Sequence, residues 1–306
     1  MSIALQVALV MVTILVVLLV IGAPIGVAIG MSSAVSMICM IPADVSFATS
    51  AQRIFAGSNS FSLIAIPFFI LAGNIMNNGG IATRLVNCAK VISGRMPGAL
   101  AQSNVVANML FGAISGSGAA AAAAMGGTIG PLEEKEGYDK NYSTAVNVAS
   151  APVGMLIPPS NTMIVYSSVA GSVSIAALFM AGYIPGLLWG GAVMILAGIM
   201  AKKRGYQAEQ RVPVKVALKT FWQAIPSLLL IVIVIGGILG GIFTATEGSA
   251  IAVVYATVLS LIYKAFKIKD IPRIVLEAAK TTGIITFMIG LSSIMSWAMA
   301  FTGIPD

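Results

Sequence analysis

Two short uncharged stretches carry the residue types that could hold a ligand. The first is Ser115-Gly116-Ser117-Gly118, which interrupts an apolar run and is followed by six alanines. The second is Pro158-Pro159-Ser160-Asn161, inside the apolar run 147–168. Serine and glycine loosen a helix, and proline removes a helical hydrogen bond. Backbone that leaves the helix frees carbonyls, whose oxygens can hold a cation; those near Met155–Ile157 are candidates. A half-helix that restarts after the break turns its positive end toward an anion. Ser160, Asn161 and Thr162 can cap such a restart. Upstream, Ser103, Asn104 and Asn108 recur at helical spacing and line one stripe that points into the protein. Taken singly, the SGSG is a packing turn and the double proline a kink. Two polar breaks close together in one chain point instead to an ion-coupled substrate site.

The elements that must carry these breaks are membrane helices. Hydrophobic residues make up 58% of the 306-residue chain and charged residues 9%, against about 25% charged in a soluble domain. Apolar stretches fall near 3–22, 24–41, 61–78, 98–131, 142–169, 173–201, 225–243, 248–263 and 281–301, several of them near the roughly 20 residues that a span needs. They do not alternate, which excludes a transmembrane β-barrel. The N-terminal stretch lacks a basic start and a cleavage site, so it reads as a first span and not a removed signal peptide. Backbone cannot leave the helix where it faces lipid, so both breaks must be buried in protein or line a cavity.

What is missing narrows the chemistry. There is no histidine, which removes a Ser–His dyad, a His-ligated haem and an H-E-x-x-H zinc site. Cys39 and Cys88 read as small buried hydrophobes. Glu133, Glu134, Glu136 and Asp139 read as a solvated acidic loop. Glu247 falls in the first turn of a helix, where its charge is favourable. The scattered methionines read as packing residues, and Trp189, Trp222 and Trp297 as interface or packing residues.

Orientation follows from the basic residues. With the N-terminus outside and 98–131 dipping in and returning, Arg84, Lys90, Arg95, Lys135 and Lys140 face the cytoplasm. So do Lys202, Lys203, Arg204, Arg211, Lys215, Lys219, Lys264, Lys267, Lys269, Arg273 and Lys280. Only Arg53 is left outside, as the positive-inside rule asks. That rule accounts for the net charge of +7 without nucleic-acid binding. The segments 84–95 and 271–280 read as short amphipathic helices along the membrane surface. A faint repeat links 68–76 with 287–295 and 26–37 with 248–259, in inverted orientation, an arrangement recurrent in secondary transporters.

The stretches IPFFILAGNIM, SNVVANMLFGAISGSGAAAAAAMGGTIGP, VASAPVGMLIPPSNTMIVY and GIFTATEGSAIAVVY together resemble the large membrane subunit of tripartite ATP-independent periplasmic (TRAP) transporters. The resemblance covers the whole chain. It implies an all-α, polytopic, inverted-repeat transporter of the elevator type with a re-entrant hairpin and broken helices. It implies sodium-coupled import of a small organic anion, a C4-dicarboxylate or a sialic acid, and no enzymatic activity. Na+ is then the coupling ion, with no other cofactor or metal. The implied partners are a small four-helix membrane subunit, a periplasmic substrate-binding protein and membrane lipid, in a bacterial inner membrane with the N-terminus periplasmic.

Carried over residue by residue, the hairpin tip is Ser115, Gly116, Ser117 and Gly118. The broken helix opens at Pro158, Pro159, Ser160 and Asn161, and Ser103 and Asn104 lie on the hairpin arm facing the ion site. Residues 1–60 are then scaffold helices and a surface arm. Residues 61–172 are the transport part of the first repeat, with its hairpin near 98–133 and broken helix near 142–169. Residues 173–224 are a connecting span and arm, and 225–306 begin the second repeat. The resemblance expects a second hairpin and a second Pro-Pro break after a turn like Gly303–Pro305, so the chain reads as truncated in its second repeat. The alternatives are a divalent-anion/sodium symporter without a binding protein, an intramembrane hydrolase using Ser115 or Ser117, and a purely structural scaffold.

Overall fold

The structure, a computed structural model, describes residues 3–171, 173–206, 213–265 and 267–304. Arg211 and Pro305 lie outside the described residues. The described chain is helical throughout: α1 Ile3–Val20, α2 Ile25–Met37, α3 Ala43–Ser58, α4 Ala65–Asn78, α5 Ile81–Ser93, α6 Ala99–Ser115, α7 Gly118–Thr128 and α8 Gly130–Lys135. Then follow α9 Lys140–Ser150, α10 Val153–Leu156, α11 Asn161–Ala170, α12 Ile175–Lys203, α13 Val214–Leu239, α14 Ala245–Ile262 and α15 Ile271–Thr302. Six helical segments among the described residues are long and apolar enough to cross a membrane: α1, Phe61–Asn78, α12, α13, α14 and α15. The chain is an all-α, multi-pass membrane protein.

Two compact units divide it. One comprises residues 1–63 and 279–306. In it α1, α2 and α3 pack with the C-terminal part of α15 around Val7, Met11, Met37, Leu291, Ile294 and Ala298. Gly57 lies directly against Ser293, and the Arg53 guanidinium sits 5.3 Å above the Trp297 ring. The other comprises residues 64–278 and contains both polar breaks. Its core is built from Leu100, Val105, Phe111, Met125, Ile129, Tyr142 and Val146, with Ala197 and Ala201 of α12 behind them.

Helices in lipid gain little hydrophobic energy by touching one another, so small residues that admit a close approach must carry their association. The second unit uses them repeatedly. Gly112 of α6 meets Gly154 of α10 backbone to backbone, and Gly182 of α12 lies on the Leu156 carbonyl. A Cβ on Gly73 of α4 would come within 3.2 Å of Ser115.

Four expectations change on folding. The segment 84–95 is helical but does not lie free on a surface. α5 buries Leu85, Val86, Cys88 and Ala89 and packs against α6 and α13. The segment 271–280 is no separate surface helix, for nothing between Lys280 and Gly283 stops it and α15 runs unbroken for 32 residues. Cys88 is buried as expected, but Cys39 is exposed. The acidic loop is not uniformly solvated: Glu134 and Glu136 are exposed, whereas Glu133 is 1% exposed. Glu247 does sit in the first turn of α14, in a capping box with Thr244, whose N–H donates to Glu247 Oε2 at 2.7 Å.

Candidate functional site

α6 and α7 form a helical hairpin whose whole link is Gly116 and Ser117. Gly116 ends α6 in the left-handed region (φ +60°), and its N–H donates to the Gly112 carbonyl at 2.9 Å. Ser117 returns to extended backbone, and its Oγ accepts from Ala120 N at 3.3 Å, capping α7. The run of alanines then builds α7, because alanine has the best helix propensity. Hydrogen bonds tie both arms to Asn147 of α9. The Asn108 amide on α6 donates to Asn147 Oδ1 at 3.0 Å, and the Asn147 amide donates to the Ala122 carbonyl on α7 at 2.9 Å.

The second break is a helix interrupted twice. α9 ends at Ser150, α10 is a single turn, and Ile157–Pro159 carry the chain across to Ser160. The Pro158–Pro159 peptide is cis. Ser160 is extended, and its Oγ accepts from Met163 N at 3.4 Å to start α11. The pieces before and after the break are bent by 47°.

Folding brings the two breaks together. The Asn161 N–H donates to the Gly116 carbonyl, and the Asn161 side-chain amide donates to the Ser115 carbonyl, each at 3.4 Å. A Cβ on Gly116 would lie 2.9 Å from the Pro159 carbonyl oxygen and 3.0 Å from Asn161 N. Only glycine admits both that contact and the positive φ. A Cβ at Gly118 would come 3.1 Å from the Ala151 carbonyl. Of the expected residues, Ser115, Gly116, Pro159 and Asn161 therefore share one spot. Ser117 and Ser160 serve it as helix caps, Gly118 opens α7 against Ala151, and Pro158 supports the crossing.

The charge distribution there is made without ions. No charged residue occurs between Arg95 and Glu133 or between Lys140 and Lys202. Two capped helix N-termini, of α7 and α11, and the carbonyl end of α6 converge on the junction. The first two offer partial positive charge and the last partial negative charge. Asn161 Oδ1 is buried with no hydrogen-bond donor, a free oxygen at the centre of the junction. The freed carbonyl nearest to the tip is that of Pro159. The Leu156 carbonyl, within the expected 155–157 set, turns to Gly182 of α12 instead.

Ser103 and Asn104 are not at the tip. They lie 12 and 11 residues before Ser115 on one straight helix, roughly 18 Å away at 1.5 Å per residue. Ser103 Oγ donates to the Ala99 carbonyl at 2.7 Å and lies 2.9 Å from Ser93 Oγ of α5. Asn104 Oδ1 accepts from the Asn108 amide at 2.9 Å, and the same amide reaches Ser150 Oγ at 2.7 Å. This relay of Asn104, Asn108, Asn147 and Ser150 binds α6 to α9. Sequence reasoning found Asn104 and Asn108 by their spacing, but not Asn147 and Ser150. They sit three residues apart in 147–168 and could have been paired with the stripe.

Residues 12–306 match the family model described as "Tripartite ATP-independent periplasmic transporter, DctM component". Among curated proteins, the chain is 50% identical over 275 residues to YgiK of Salmonella typhimurium, covering 90% of this chain and 63% of that protein. It is 37% identical over 272 residues to the C4-dicarboxylate TRAP transporter large permease protein DctM of Rhodobacter capsulatus (84% and 62%). It is 36% identical over 262 residues to the sialic acid TRAP transporter large permease protein SiaM of Vibrio cholerae (84% and 60%). The chain spans about three fifths of the length of these relatives.

Proposed function

We propose, for a chain that belongs to the DctM-component family of tripartite ATP-independent periplasmic transporters, that it forms part of a sodium-coupled importer of a small organic anion. The relatives named for C4-dicarboxylate and sialic acid suggest a carboxylate substrate. The complete transporter then works with a periplasmic binding protein and a small membrane subunit in the inner membrane, with the N-terminus periplasmic. The chain is read as a permease and not as an enzyme.

The observation that carries the reading is the junction of Ser115–Gly116 with Pro159–Asn161. Uncharged oxygens there, with Asn161 Oδ1 left over, suit a weakly held monovalent cation that must be released again. The two helix N-termini beside it suit the carboxylate that travels with that cation. Elevator movement of the second unit is part of the proposal. The close backbone contacts of Gly112, Gly116 and Gly118 support it, because they let hairpin and broken helix move as one body.

The test is uptake into liposomes holding the complete transporter, with its binding protein outside. Uptake requires an inward sodium gradient. Asn161→Ala removes an oxygen and the weak side-chain hydrogen bond to the Ser115 carbonyl, a loss of about 1–3 kcal/mol, and raises half-activating sodium about fivefold or more. Sodium-independent uptake by the wild type, or unchanged sodium activation in Asn161→Ala, contradicts the reading.

A further inference from the structure

The other end of the hairpin holds a second polar site that the transport reading does not use. Where α6, α7, α8 and α9 meet at the hairpin base they border an open-sided cavity of about 310 Å³, lined among others by Asn104, Glu133, Ser143, Thr144 and Asn147. Three of its polar atoms have no hydrogen-bond partner although their residues are buried: Glu133 Oε1, Asn104 Nδ2 and Ser143 Oγ. Glu133 is 1% exposed and Asn104 0%. Buried polar groups are almost always paired, so three orphans facing one cavity call for an occupant.

Among the described residues no counter-ion serves the carboxyl. α6 and α7 bring no charged residue to it. On α9, Lys140 lines the cavity, but among the described residues no ion pair joins it to Glu133. Ahead of it Asp139 is already paired with Arg204 at 3.2 Å. Arg204 also lies 5.4 Å above the Tyr142 ring. Beside Glu133, Glu134 lines the cavity and Lys135 is exposed. The remaining titratable neighbours are the stacked phenols of Tyr138, Tyr142 and Tyr206. Among the described residues, no three acidic, cysteine or histidine side chains come together to hold a metal ion. Asn104 offers an amide N–H, and Asn147 Oδ1 already accepts from Asn108.

We propose that the hairpin base is a proton-binding site, with Glu133 as the group that takes up and releases the proton and the cavity as its path to water. As a neutral acid, Glu133 donates its O–H to a cavity water. As a carboxylate, it accepts from the Ser143 hydroxyl, from water and from the Asn104 amide. Asn104 is the first member of the relay that joins α6 to α9, so the proton sets how the hairpin base seats on α9. Desolvation agrees with the geometry. Burial pushes the Glu133 carboxyl up to about 7, while the Ser143 hydroxyl pulls it the other way. α8 lies outside the helices long enough to span the membrane.

The test is a pH titration of the complete purified transporter followed by infrared difference spectroscopy, which separates a protonated carboxyl from a carboxylate. Between about pH 6 and pH 8, well above the ordinary Glu value, the wild type shows one carboxyl that deprotonates. The signal is absent in Glu133→Gln. In Ser143→Ala its midpoint moves up, because the group that favours the charged form is gone; this variant keeps the test intact if Glu133→Gln fails to fold. Identical difference spectra for wild type and Glu133→Gln, or an unmoved midpoint in Ser143→Ala, overturn the proposal. Loss of the protonated band on adding sodium chloride but not choline chloride at fixed pH assigns the cavity to a metal ion and overturns it too. The readout is independent of uptake, so it stands or falls apart from the transport reading.

Discussion

Gly116 and Glu133 are the two residues whose chemistry is most constrained by their surroundings. Gly116→Val meets a left-handed backbone worth about 1–2 kcal/mol by itself and a collision with the Pro159 carbonyl. Uptake is expected to vanish in it, and to fall less in Gly116→Ala, with folded protein verified by detergent chromatography. Wild-type uptake in Gly116→Val would make the tip a mere turn. For Glu133 the sign follows from a folded pKa of about 7 above a reference of 4.5. The fold favours the neutral acid, so the contribution is fully present below about pH 4.5 and is lost as pH rises through 7. Glu133→Gln stays neutral throughout. Its thermal unfolding in detergent should match the wild type at acid pH. It should exceed it by roughly 3 kcal/mol in stability above pH 8, from 1.36 kcal/mol per unit. A gap that stays constant with pH removes Glu133 as the cause.

Among the elements, the contact of α6 with α10 decides how closely the hairpin packs on the broken helix. It exists because Gly112 and Gly154 allow their backbones to touch. Gly112→Val must part the two helices or fail to fold, and a loss of more than about 2 kcal/mol is expected from an overpacked contact. Gly127 of α7 is the control: a Cβ there meets nothing within 4 Å. Gly127→Ala should be neutral or stabilise by up to about 1 kcal/mol through helix propensity. Comparable unfolding temperatures for the two variants would mean that α6 and α10 do not depend on that approach. Ser93 and Ser103 act at this scale as well, tying α5 to α6 near the hairpin base, some distance from the junction at the hairpin tip.

At the scale of the whole molecule, the distribution of basic residues makes a statement about sidedness that labelling can check. With Cys39 and Cys88 replaced, a single cysteine at Glu134 is expected to react from the cytoplasmic face. One at Asn59 is expected to react from the periplasmic face. Both positions are exposed. Labelling of both from the same face would mean that 98–131 crosses the membrane, and the hairpin would not be re-entrant.

Composition alone was enough to make this chain a helical membrane protein, because 58% hydrophobic and 9% charged residues leave few other ways to satisfy the backbone in lipid. The local signals for the breaks were equally plain: glycine beside serine, and two prolines before a cap, act within a few residues. Ser115–Gly118 and Pro158–Asn161 were therefore legible, and so was the family from the motifs around them. Which polar residues meet was not legible. Ser103 has the right type and spacing, but spacing on a helix gives a direction and not a partner. Only packing turned it to Ser93 and left Asn161 at the tip. Glu133 looked like its solvated neighbours because charge in a sequence carries no depth. Its burial comes from α6, α7 and α9 closing around it, a long-range outcome that no window of the sequence contains.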